Sequence, residues 1–106
     1  MNTDYHECYL DKITDKSIPN LYVIFYVSYC PHCISAIDIL KNPENNLKYK
    51  GYDIDKLPIT KNELFNIFNK YIKELNFKNT HTTKPIIFYN GSFLGGNSEL
   101  KAFIQN

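Results

Sequence analysis

Three cysteines are too few, and too odd in number, for the disulfide framework that small secreted domains use. The chain does not need one. At 106 residues, 43% hydrophobic and 15% aromatic, it is long enough and apolar enough to bury a core without staples. Long apolar stretches are also missing: the longest, LYVIFYV from Leu21 to Val27, is too short to cross a bilayer. The N-terminal MNTDYHECYL lacks the basic-then-apolar pattern of a secretory leader. The expectation is therefore a mature chain starting at Met1 and working in a reducing, cytoplasmic compartment. A formal net charge of +1 without clustered lysines leaves no electrostatic footprint for nucleic acid or a membrane surface, so small-molecule or protein partners are expected. With no repeat, low-complexity tract or Pro/Gly/Ser linker, residues 1–106 read as one domain.

What is present has a clear order. Thr3 is placed to cap a first helix, with Tyr5, Cys8, Tyr9 and Ile13 on one face, which predicts a buried Cys8 thiol. After Pro19 and Asn20, LYVIFY is short, β-branched and aromatic, as expected of a strand covered on both faces. It runs straight into YCPHC, and CISAIDILK then has helical spacing until Asn42 and Pro43 stop it. The alternation in YDID predicts a short strand. Thr60 and Glu63 form a capping-box pattern ahead of a helical stripe of Leu64, Ile67, Phe68, Tyr71, Ile72 and Leu75. In PIIFYNGSFL, Asn90-Gly91 is the dipeptide of a two-residue hairpin, and Asn97 or Ser98 is placed to cap a last helix. The resulting order, α-β-α-β-α-β-β-α, implies an α/β fold: a mixed four-stranded sheet flanked by helices.

The two cysteines at a strand-to-helix junction carry the chemistry. Pro31 suits a first helical turn because its missing N–H would be unpaired there anyway, which puts Cys30 at the helix start. Free backbone donors and the positive helix end favour thiolate there, and such cysteines reach pKa values from about 7.5 down to roughly 3.5. Cys33, one turn on, is expected to be more buried and thiol-like, within reach for an opening and closing disulfide. This makes Cys30 the candidate nucleophile, Cys33 the resolving thiol and His32 a tuning group. Two other readings stand beside it: a zinc site using His6, Cys8, Cys30 and Cys33, and a purely structural disulfide. His6 and His81 are expected to be solvated.

VIFYVSYCPHC, then TKPIIFYNGSFLGG, then NSEL, in that order from about Leu21 onward, resembles a dithiol glutaredoxin of the thioredoxin-fold superfamily. The resemblance implies a cis Lys84-Pro85 bond beside the cysteines and glutathione as co-substrate. It also implies a glutathione groove made by Tyr29, Thr83, Lys84, Pro85, Gly96, Asn97, Ser98 and Glu99. In that groove the backbone of Lys84 pairs with the tripeptide and the helix start at Asn97 to Glu99 receives its γ-glutamyl carboxylate. Gly95-Gly96 and Ser98 also fit an ordinary strand end and cap. Val27 stands where the family commonly carries a lysine, and Lys84 where it commonly carries valine. Lys84, Lys78 or His81 is then the substitute cation. The implied activity is reduction of protein disulfides and of glutathionylated proteins by a monomer, with no metal expected. The alternatives are a glutathione-independent thiol oxidase or isomerase, a thioredoxin-like reductase, and an iron-sulfur or zinc binding module.

Overall fold

Residues 3–105 are described by a computed structural model, with side chains from Cys8 onward. Its elements are α1 (Thr3–Ile13), β1 (Leu21–Tyr26), α2 (Pro31–Lys41), β2 (Lys48–Asp53), α3 (Lys61–Lys70), α4 (Ile72–Leu75), β3 (Ile86–Tyr89), β4 (Ser92–Gly95) and α5 (Asn97–Gln105). The sheet order is β2-β1-β3-β4, with β1 parallel to β2 and antiparallel to β3, and β3 antiparallel to β4. This is the mixed four-stranded sheet that the element order implied. Among the described residues, no helix is long and apolar enough to cross a membrane.

The period-two alternation of β1 divides the interior. Leu21, Val23, Phe25 and Val27 face one core, packed with Tyr9, Ile13, Leu64, Ile67, Phe68, Leu75 and Phe77. Tyr22 and Ile24 face the other, against Ala36 and Leu40 of α2 and Leu100 of α5. Ile86 and Phe88 of β3 follow the first face, and Ile87 follows the second. Aromatic edges lock the first core: Phe68 meets Phe25, Phe77 and Phe88 with ring centroids 5.4, 5.2 and 5.2 Å apart.

The local signals are realised in detail. Thr60 and Glu63 close the capping box at 3.1 and 2.8 Å. Asn90 and Gly91 take φ values of 52° and 79°, the positive pair that a type I′ hairpin demands. Lys84-Pro85 is cis.

Four expectations change. Cys8 is exposed, not buried, because Tyr9 and Ile13, one turn apart, define the inward stripe of α1 and Cys8 is rotated off it. Helix α1 runs from Thr3 itself, and the calls on the Thr3, Tyr5 and His6 side chains fall outside the described residues. Strand β2 covers Lys48–Asp53 rather than YDID, its register set by pairing with β1 from Leu21↔Lys48 to Tyr26↔Asp53. The long helical stripe is split at Tyr71, whose φ of −106° separates α3 from the extra turn α4.

Phe68 is fully buried at the meeting point of α3 with the sheet. Phe68→Ala is expected to lose about 3–5 kcal/mol of stability in urea denaturation, whereas Cys8→Ser at its exposed position is expected to change stability by less than about 0.5 kcal/mol.

Candidate active site

Strand β1 ends at Tyr26, and within four residues α2 begins at Pro31. Cys30 is the N-cap residue, with extended φ −88° and ψ 119°, and its carbonyl accepts the Ile34 N–H at 2.9 Å. Its own N–H donates to the Val27 carbonyl at 3.3 Å, tying the cysteine loop back to the strand. The Cys30 thiol is therefore half-exposed on a rigid frame, and Cys33, one turn on, is fully buried. The pair lies 3.3 Å apart, and both are free thiols.

Opposite environments push the two thiols apart. Partial burial alone would raise Cys30, but the backbone N–H of Cys33, the Cys33 thiol, the backbone N–H of His32 and the Lys84 charge together hold it below the ordinary thiol value. The sulfur makes no close capping hydrogen bond, so these groups act as donors grouped around it. Cys33 is pushed up to about 11, first by burial and then by its hydrogen bond to Cys30 and the Cys30 charge. A backbone hydrogen bond from Val27 and the Lys84 charge only partly offset this rise. A nucleophilic sulfur at the surface thus stands over a protonated reserve sulfur, an arrangement suited to disulfide exchange.

Lys84 reaches this pair from the other side, at the cis peptide. Its Nζ lies 6.0 Å from the ring centroid of Tyr29, which is 69% exposed beside Cys30. Val27, by contrast, is buried in the core at 1% exposure. Lys84 is a cation whose charge acts on both sulfurs.

A cleft of about 270 Å³ opens next to the cysteines, lined by His32, His81, Thr83, Lys84, Pro85, Gly96, Asn97, Ser98 and Glu99. Seven of the eight residues expected to form a ligand groove line it. Tyr29 does not line it; its ring lies 6.0 Å from the Nζ of Lys84, which does. Gly96, not Asn97 or Ser98, precedes α5, and Glu99 reaches back so that its Oε1 accepts the Gly96 N–H at 2.8 Å. That hydrogen bond is the main reason the Glu99 carboxyl sits below its ordinary value.

Two histidine expectations are corrected. His81 is half-buried: its Nε2 bonds the Pro85 carbonyl at 3.2 Å and its ring meets Phe93 edge-on at 5.1 Å. His32 is exposed on the rim of the cleft, and what it contributes to Cys30 is its backbone N–H. Among the described residues, no group of three or more His, Cys, Asp or Glu side chains is gathered for a metal.

Lys84→Val is expected to move the Cys30 titration upward, read from thiolate ultraviolet absorbance against pH. It should still stay below the ordinary thiol range, because the backbone donors of α2 remain. An unchanged midpoint would remove Lys84 from the account of the thiolate.

Comparison with known proteins agrees with this geometry. The family model described as Glutaredoxin matches residues 21–94. A probable glutaredoxin of Acanthamoeba polyphaga mimivirus is 38% identical over 96 residues, covering 91% of this chain and 88% of its own length. Glutaredoxin-2 of Schizosaccharomyces pombe is 34% identical over 87 residues, covering 81% and 70%. Among solved structures, a dithiolic glutaredoxin of Trypanosoma brucei brucei superposes with a TM-score of 0.62 at 25% identity, covering 91% of this chain and 84% of that one.

Proposed function

Because the chain belongs to the glutaredoxin family and is a thiol–disulfide oxidoreductase, we propose that it is a glutathione-linked one acting through Cys30 and Cys33. The observation that carries this reading is the division between the two sulfurs: Cys30 held low and half-exposed, Cys33 buried and pushed up to about 11.

The Cys30 thiolate attacks one sulfur of a glutathionylated protein or a protein disulfide. The substrate S–S bond breaks, a new bond to Cys30 forms, and the departing sulfur leaves as thiolate and takes a proton from solvent. When the partner left on Cys30 is glutathione, a second glutathione thiolate attacks it, releasing glutathione disulfide and restoring Cys30. When the partner is a protein cysteine, Cys33 loses its proton and attacks Cys30. This releases the reduced protein and leaves a Cys30–Cys33 disulfide, which two glutathione molecules then reduce. The high Cys33 value suits the second route, since a thiol that stays protonated until the mixed disulfide forms does not compete with Cys30 beforehand.

The cleft supports glutathione as the partner. Its Thr83, Lys84 and Pro85 side presents backbone groups for strand-like pairing, and its Gly96 to Glu99 side is the N-terminus of a nine-residue helix, a natural seat for a carboxylate. In this reading residues 1–106 act as a monomeric single domain in a reducing, cytoplasmic setting. A glutathione-independent thiol oxidase has one observation in its favour, the buried Val27. A reduction potential well above the glutathione poise would select that reading.

The test is glutathione-dependent reduction of a small glutathione mixed disulfide. Wild type is expected to show saturable turnover, and Cys30→Ser to lose it by more than about a hundredfold. Cys33→Ser is expected to keep this reaction while losing reduction of a protein disulfide. Loss of both reactions in Cys33→Ser would contradict the assigned roles.

A further inference from the structure

We propose that the groove between α2 and α5 is a docking site for an extended stretch of a protein substrate, holding an apolar and then an acidic side chain on one side of the cysteine that Cys30 attacks. The inference rests on the reading of protein disulfides as substrates and adds where their chain is held.

The groove encloses about 600 Å³, against about 270 Å³ for the cleft described above, and the two share no residue. Pro31 lines the groove, whereas His32 lines the cleft. These consecutive residues point about 100° apart around the helix, so the two depressions lead away from Cys30 on different sides. The walls of the groove are already in place. Ala36 and Leu40 of α2 pack with Leu100 of α5 and fix the helices side by side. Ile34 and Ile39 of α2 and Lys101 of α5 line the outer seam. At its far end the Asn45 Nδ2 donates to the Ile39 carbonyl at 2.9 Å, tying the turn after α2 to the helix. The 11 residues of α2 span about 16 Å, the reach of about five residues of extended chain.

Exposed apolar surface and charge identify the occupant. Among the described residues three large apolar side chains are exposed, Tyr29, Ile34 and Phe103, and the first two flank Cys30 in sequence. Apolar side chains left open around a reactive atom fit a partner that covers them. Ile34, 47% exposed, lies outside the glutathione cleft, so the tripeptide seated there leaves it open. A protein cysteine, by contrast, brings its own chain to Cys30, and the groove starts at the next residue. The charged groups along the groove then favour an acidic side chain. Asp38 is offset by Lys41 at 3.8 Å, while Lys101 makes no ion pair among the described residues.

The experiment uses the Cys33→Ser protein, in which a mixed disulfide on Cys30 persists, and end-blocked cysteine peptides activated as aryl disulfides of 5-thio-2-nitrobenzoate. The Cys30 thiolate attacks the peptide sulfur, the peptide–aryl S–S bond breaks, a Cys30–peptide bond forms, and the aryl thiolate leaves and is followed by its absorbance. No glutathione takes part. The probes are Cys-Gly-Leu-Gly-Glu and its reverse, Glu-Gly-Leu-Gly-Cys, each against a counterpart with Ser for Leu and Gln for Glu. One of the two Leu/Glu orders is expected to react about three- to tenfold faster than its counterpart. Adding Ile34→Ser is expected to remove most of that gain, and adding Lys101→Glu to lower it about two- to fourfold, with the Ser/Gln peptides unchanged. Both substitutions lie at the surface, and the Ser/Gln rates report directly on the intact Cys30 site. Equal rates for Leu/Glu and Ser/Gln peptides in both orders, or a gain that survives both substitutions, overturns the inference. The glutathione reading is then untouched, because it stands on turnover of the small glutathione mixed disulfide. Loss of that turnover with the peptide gain retained overturns the glutathione reading and upholds the groove. No aryl thiolate release with any peptide removes Cys30 as nucleophile and overturns both.

Discussion

Burial of β1 on both faces is the constraint from which the site follows. Leu21 through Phe25 have no solvent-facing side, so α2 and α5 must cover Tyr22 and Ile24 while α1, α3 and α4 cover Val23 and Phe25. Covering the Tyr22 and Ile24 face at once requires the chain to turn from the end of β1 into α2, and Pro31 makes that turn abrupt. Cys30 therefore ends at a helix N-terminus and at the rim of the sheet, where a sulfur is both accessible and surrounded by unpaired donors. Cys33, one turn deeper, is absorbed into the core that Phe25, Ile86 and Val27 build. The chemical asymmetry of the two sulfurs is a packing consequence before it is an electrostatic one.

The second half of the chain supplies the other wall. The Asn90-Gly91 turn folds β4 back on β3, which brings Gly96 and the start of α5 next to Pro85 at the head of β3. His81 and Glu99 pin that junction, one through the Pro85 carbonyl and the other through the Gly96 N–H. Lys84 stands between this wall and the cysteines. With Val27 turned into the core, the positive charge that favours the thiolate comes from the cis-proline side of the cleft rather than from the strand before Cys30.

Much of this was legible in the sequence where one local rule decides the outcome. A buried strand running into C-P-H-C, a capping box at Thr60 and an Asn-Gly hairpin each specify their own backbone, and the cleft residues from Thr83 to Pro85 and Gly96 to Glu99 came with the family motif. What was not legible depends on phase or on contacts made only in three dimensions. Cys8 fits a helical stripe within tolerance, but Tyr9 and Ile13 set the phase and leave it exposed. Strand β2 is placed by its pairing with β1 and not by its own alternation. The half-burial of His81 has no sequence signature, since Phe93, Gly96 and Pro85 meet it only after the hairpin closes.

The most direct test of the central claim, that one fold junction sets two neighbouring thiols to opposite tasks, is alkylation of the wild-type protein under limited reagent across a pH series, resolved by peptide mass spectrometry. The account predicts that Cys30 labelling levels off below the ordinary thiol range, while Cys33 begins to label only as pH approaches about 11. Labelling of both cysteines with one common midpoint, or of Cys33 ahead of Cys30, would contradict it.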